Sequence, residues 1–506
     1  MPTSSRRIAG AVLAAVIVLV IGAEWEEWRQ LLPTVSRTVA VSAAAGAAAA
    51  IMGAAMAFAH RLGGQYSWAI AMIACIPLVF PSVALATALI QAPFGMNPYG
   101  PAIVIVSQAI GYLPVTFVIQ ALALASVSDE VLMVSASLGA SPLRTIQRVL
   151  RRPWLRGFGM SGAVATLFIA SDPSVTLVYG GTDSYVASHM FRGVSTGLTT
   201  SIGPALVALV LPAVVFALFL TSIDWGALRE PFRVRAPEFV SEYMTARRAL
   251  LPLTAPIAMT VLLLLAVIVR GASRVSLANG LPVTLAATTL VVLLLVIPAA
   301  LLGALATTYL ARRGPALRII VTGLLAGTFL LSQSVIGMML SAVFRDSITI
   351  GSATVLPSLV GGGSLAGGYV AVGLAYLSVA LPIAHVGMMI MVRDMGDLVD
   401  AARDAGADRV RAGFVLAPVL APRMIALVAF MSGVILTRTT PIIFVQPPGF
   451  ETASTSLTTL AAAGWDDRVF AVSLVTALVA TVSFLVATAG LSQAWWGTGS
   501  DVRRTV

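Results

Sequence analysis

The sequence predicts an all-α, polytopic membrane protein of about twelve spans. Three observations carry that prediction. Apolar runs near twenty residues recur from one end to the other, the length at which a helix crosses a hydrocarbon core of about 30 Å. Of the 506 residues, 58% are hydrophobic and only 10% charged, whereas soluble proteins carry roughly a quarter charged residues. The apolar runs are continuous and do not alternate, which excludes a transmembrane β-barrel.

The formal charge is +10, and all 31 basic residues are arginine. In a soluble protein that balance would point to nucleic acid. Here the arginine bias of loops on one side of a membrane explains it, and no nucleic-acid partner is expected. Cys75 is the single cysteine, so no intrachain disulfide can form.

Taken in order, the first apolar run, 8–23, follows Arg6-Arg7. It reads as a span, with a secretory signal as the alternative. The segment 24–37, with three Glu and two Trp, reads as an external loop. Span two is expected near 38–59 and span three near 68–91, with a short external loop at 92–100. Span four covers about 101–126, span five about 158–178 and span six about 203–225. Residues 223–250 are an arginine-rich cytoplasmic linker. Spans seven to twelve follow near 251–269, 283–311, 318–343, 368–391, 423–445 and 469–490. With both termini inside, the loops assigned to the cytoplasm hold 23 of the 31 arginines, which supports this orientation.

The two sides of the linker repeat. Leu113-Pro114 and Leu381-Pro382 precede Gly139 and Gly406 at nearly the same distance. Pro173 and Pro441 follow those glycines by 34 and 35 positions. Ser82-Val83 resembles Ser334-Val335. The chain therefore divides into a first repeat, 1–222, the linker, and a second repeat, 251–506, as parallel six-span units. The external loop 344–367 is the main insertion in the second.

Each glycine sits in a polar, helix-forming stretch between apolar runs. In Asp400-Ala401-Ala402-Arg-Asp-Ala-Gly406-Ala407, Leu398, Ala402 and Ala405 share one helical face. Val410, Phe414 and Ala417 form a second short stripe. In the earlier copy, Val131, Val134 and Leu138 stripe a first helix before Gly139-Ala140, and Leu143, Ile146 and Leu150 stripe a second. Glycine tolerates φ > 0, so each stretch is expected to form two short helices about a sharp turn, with an apolar face free to dock in a partner's groove.

These stretches, 127–153 and 397–422, resemble the EAA loops of binding-protein-dependent ABC importer permeases. That loop reads Glu-Ala-Ala, three residues, Gly, then about a dozen residues to a proline. Asp400-Ala401-Ala402 with Gly406 fits it, Asp standing for Glu. In the first copy Met133-Val134-Ser135 occupies those three places. With the proline-marked helices around them, the chain is similar to fused permeases of the ferric-iron, thiamine and 2-aminoethylphosphonate type. The resemblance implies the type I ABC importer permease fold and a bacterial plasma (inner) membrane location. It also implies a cytoplasmic ATPase homodimer that binds ATP and Mg and docks on the loops through Gly139, Ala140, Asp400, Ala401, Ala402, Gly406 and Ala407. An external solute-binding protein would deliver a small polar solute of the ferric-iron, thiamine, phosphonate or polyamine type.

The chain itself is not expected to be an enzyme or to hold a cofactor: a phosphate loop needs lysine, and there is none. Gly361 to Gly368 is glycine-rich but lies in an external loop and reads as connection. His60, His189 and His385 are scattered, so no metal site is expected. His385, inside span ten, reads as packed and hydrogen-bonded. The main alternative is a twelve-span secondary transporter of the major facilitator kind, though the loops where its signature belongs lack it. A membrane enzyme would need clustered acids or histidines that the external loops do not offer.

The deepest charges in spans five and eleven are Asp172, next to Ser171, and Arg438. A charge at mid-bilayer costs at least ~2.5–3.5 kcal/mol. Either these residues face the translocation path, as a gate pair or as contacts for a charged solute, or they lie nearer the external surface and are hydrated.

Overall fold

The computed structural model describes residues 25–500, apart from 63–66, 183–184, 197–243, 276–287, several between 289 and 332, 351–352, 362–363, 395–403, 405, 407–408, 438–439 and 448–451. The expected spans at 8–23 and 203–225 lie outside these residues, as does the linker up to 243. Among the described residues four helices are long and apolar enough to cross a membrane, at Leu31–Arg61, Pro252–Ala272, Tyr369–Met389 and Asp466–Ala489. Three bent pairs raise the number to seven if each is one span. The chain is thus a helical, multi-pass type of membrane protein, and a single two-stranded hairpin interrupts the helices described.

The first helix, α1 (Trp25–Leu62), is 38 residues long, or about 57 Å at 1.5 Å per residue. The expected loop at 24–37 is therefore helical from Trp25 on. Trp-Glu-Glu-Trp-Arg-Gln-Leu-Leu contains no chain breaker, and Pro33 is carried inside the helix. On α1, a Cβ at Gly46 would collide with Thr166, and one at Gly53 with the backbone of Thr116 and Phe117. These two small residues let neighbouring helices pack backbone to backbone, the usual means of association in lipid.

The expected spans three, four and five are each broken. α2 (Ser67–Cys75) ends in a 3₁₀ turn, Ile76–Val79, and meets α3 (Ser82–Gln91) at 102°. α4 (Pro101–Gly111) meets α5 (Leu113–Ala125) at 45°. After α6 (Asp129–Ser137), α7 (Pro142–Thr145) runs through a π turn, Ile146–Leu150, into α8 (Arg151–Ser171). That rod meets α9 (Pro173–Tyr179) at 55°. Each break has a proline at its far side: Pro81, Pro114 and Pro173. Proline pushes the residue before it out of the helical region, and Phe80 is extended accordingly. A short helix, α10 (Val186–Thr196), follows.

The chain separates into two compact units that do not divide at the linker. One holds residues up to Ser276 together with Leu331–Met338 and Leu457–Leu474. α11 (Met244–Ala272), the first helix of the second sequence repeat, belongs to this unit and packs against α1, α2 and α3. Its Val261 joins a core with Met56, Leu113, Leu124, Leu132 and Leu150. Its far end is held by Phe470 over Gly271 and by Arg274 at 3.6 Å from Asp467. Its other apolar residues, Leu253, Met259, Leu262 and Val269, are exposed, as a lipid-facing surface requires.

The other unit comprises Leu277–Leu330, Met339–Ser456 and Val475–Val506. Here α12 (Ile297–Arg313) packs on α14 (Tyr369–Asp394), Leu381 lying over Gly303. α14 packs on α15 (Arg409–Leu436) where Leu427 covers Gly387. Phe430 meets Phe484 edge to face at 5.8 Å. α13 (Gln333–Phe344) belongs to the first unit up to Met338. The insertion at 344–367 forms an antiparallel hairpin, β1 (Ile348–Ile350) and β2 (Ala353–Leu356). Helix α16 (Ala453–Ala462) precedes the long α17 (Asp466–Ser500).

Candidate functional site

The most polar place among the breaks is Ser171-Asp172-Pro173, between α8 and α9. Asp172 is the N-cap of α9: its Oδ1 accepts from the backbone N–H of Ser174 at 3.0 Å and from the Ser174 hydroxyl at 2.6 Å. This local sequence is a cap signal, Asp followed by proline at the first helical position. Two elements bring further groups. Ser82, at the start of α3 beyond the sharpest bend, donates to Asp172 Oδ2 at 3.3 Å. Gln108 on α4 donates from Nε2 to the same oxygen at 3.5 Å. From α13, the Ser334 hydroxyl donates to the carbonyl of Ser171. Asp172 and Ser82 are half-buried, while Ser171, Gln108 and Ser334 are buried.

Ser171 and Asp172 thus meet three residues that the sequence reading did not place with them: Ser82, Gln108 and Ser334. A signal was present. Ser107-Gln108 and Gln333-Ser334 are polar pairs inside apolar runs, and polar groups at membrane depth are expensive enough to mark function. Ser82 and Ser334, matched as repeat positions, bond neighbouring residues of one break. Arg438 lies outside the described residues.

The two glycine turns are a second feature. Gly139 has φ +73° and Gly406 φ +80°, the left-handed region that favours glycine. At the first, Ala140 N–H bonds back to Ser135 C=O at 3.1 Å, the closing bond of a glycine helix cap. Ser141 then caps the next helix by accepting from Arg144 N–H at 3.4 Å, with Pro142 following it. The predicted outward stripe is exposed: Val131 47%, Val134 57% and Leu138 80%. Leu132 and Leu150 face the core instead. The second stripe is thus anchored, and its helix is no separate unit but runs on into α8. Around Gly406, Asp404 and the glycine are exposed and α15 begins at Arg409. Asp400, Ala401, Ala402 and Ala407 lie outside the described residues.

His385 is 1% exposed and its Nδ1 bonds Thr307 Oγ1 at 2.9 Å, the packed state expected of it. His60 Nδ1 bonds Ser67 C=O at 2.8 Å. His189 on α10 is half-buried, and burial with Arg192 nearby lowers its pKa below the usual histidine range. Among the described residues no three His, Cys, Asp or Glu gather as a metal site would need. Compared with family models, curated proteins and solved structures, the chain matches none.

Proposed function

We propose that the chain is the membrane-spanning permease of an ATP-driven importer, built of two parallel six-span repeats with about twelve spans and both termini in the cytoplasm. A separate ATP-binding cassette homodimer supplies ATP hydrolysis, an external solute-binding protein delivers a small polar solute, and the membrane is a bacterial plasma membrane. One observation carries the reading. Both predicted coupling glycines adopt φ > 0, and each is followed within three residues by a helix start, at Pro142 and at Arg409; the first rod runs through a π turn to Ser171, just before Pro173, and the second helix ends at Leu436, ahead of Pro441. The exposed Val131, Val134 and Leu138 supply the apolar face that an ATPase groove would cover. On this reading Ser171, Asp172 and Arg438 belong to the translocation path, since a proline-broken helix offers free backbone carbonyls at membrane depth.

The test is reconstitution of the chain in proteoliposomes with candidate ATPase and binding-protein partners. The expected result is solute uptake that requires ATP, with the ATPase co-purifying. Uptake driven by an ion gradient alone, with no ATPase retained, would establish a secondary transporter instead.

A further inference from the structure

Building on the reading of the chain as a permease, we propose that the break at Ser171-Asp172 recognises a cation with N–H donors, an organic ammonium group of the solute, through Asp172 Oδ2 and Gln108 Oε1.

The break carries an excess of hydrogen-bond acceptors. Oδ1 of Asp172 is engaged by both donors of Ser174. Oδ2 has two contacts, at 3.3 and 3.5 Å, both near the limit of a hydrogen bond. Gln108 is 0% exposed, and among the described residues its Oε1 has no hydrogen-bond partner. The bare oxygen belongs to the same planar amide whose Nε2 already touches Oδ2. Gln333, next to Ser334, carries a second buried Oε1 that has no partner among the described residues. Native interiors rarely leave such oxygens bare without a ligand or water to fill them.

Among the described residues the hydrogen-bond partners of Asp172 are all neutral. An anionic solute would face a carboxylate and a bare amide oxygen, both repulsive. A transition metal would want histidine, cysteine or several carboxylates, which do not gather here among the described residues. A primary ammonium carries three donors and one positive charge, and so complements Oδ2 and Oε1 together. A small alkali cation shares the preference for these oxygens, and the experiment separates the two.

The full-length chain, purified in lipid nanodiscs without any ATPase, is titrated with radiolabelled putrescine, sodium and methylphosphonate. Saturable putrescine binding is expected. Asp172→Asn should weaken it by about tenfold or more and Gln108→Leu by about threefold, since charge-assisted bonds are the stronger class. Melting curves of both variants check that they fold, and Asp172→Glu, which keeps the charge, should retain part of the affinity. Sodium binding without putrescine binding would overturn the ammonium assignment. So would methylphosphonate binding alone, or putrescine binding indifferent to both substitutions. Binding at Asp172 in a chain that recruits no ATPase would leave the cation site standing and remove the importer reading.

Discussion

Two proline-marked regions that match in sequence behave differently. Leu113-Pro114 opens a new helix after a 45° bend, with Tyr112 out of helical geometry. Leu381-Pro382 sits inside α14, which continues without interruption from Tyr369 to Asp394. Proline removes one donor in both places. The neighbours decide the outcome. Gly111 stands three residues before Pro114, where the second region has Val379, and a glycine at that point eases a bend. In the first region Gln108, on the helix before the bend, and Ser82, beside Gly111, both bond Asp172. In the second, the buried polar groups near Pro382 bond one another, His385 with Thr307, and Leu381 packs tightly over Gly303. Proline therefore marks a place where a span can break, and the packing around it decides whether it does.

The largest effect that would test the likeness of the two halves lies at the glycines. Gly406→Val and Gly139→Val should each reduce ATP-driven uptake by about tenfold or more, while the protein still inserts. Among the described residues nothing lies within 4 Å of a Cβ at either position, so the penalty is backbone strain, about 1–2 kcal/mol or more for a β-branched residue. Gly→Asn at the same sites should keep most activity, because asparagine tolerates that conformation. Normal uptake and ATPase stimulation in both valine variants would remove the coupling role.

An intermediate effect separates the regions. Thr307→Val should lower thermal stability by about 1–3 kcal/mol, because it removes a partner from a buried histidine. Ser82→Ala should cost well under that, since its bond to Asp172 is long, yet it should change uptake more than Thr307→Val does. Melting curves and uptake rates together read this out, and the reverse ranking in uptake would place the functional break in the second region.

The smallest effect concerns the loops themselves. Asp400→Ala should weaken ATPase docking more than Met133→Ala, because only the second loop offers an acid at the matched place. A rim salt bridge is worth about 0–1 kcal/mol, so the defect should be partial in a pull-down titration. Equal effects of the two substitutions would make the loops equivalent.

Much of the local form was legible in the residues. Apolar length specified helices at membrane scale. Leu138-Gly139-Ala140-Ser141-Pro142 spells a glycine stop followed by a capped start, and the chain does turn there with φ +73°. Asp172-Pro173 likewise spells a helix start. Such signals act within a few residues, so sequence alone carries them. The segment 25–37 misled because its two Trp and two Glu suit both an interface loop and a helix, and propensity is a weak prior.

What only the tertiary structure decided depends on partners distant in the chain. The 102° bend between Val79 and Ser82, the gathering of Ser82, Gln108 and Ser334 about one break, and the assignment of α11 to the first compact unit all require long-range packing. A proline lowers the cost of a break in any helix, and a buried polar side chain takes whichever partner the fold brings to it. Composition and spacing bear on neither choice, because both are settled by which helices meet.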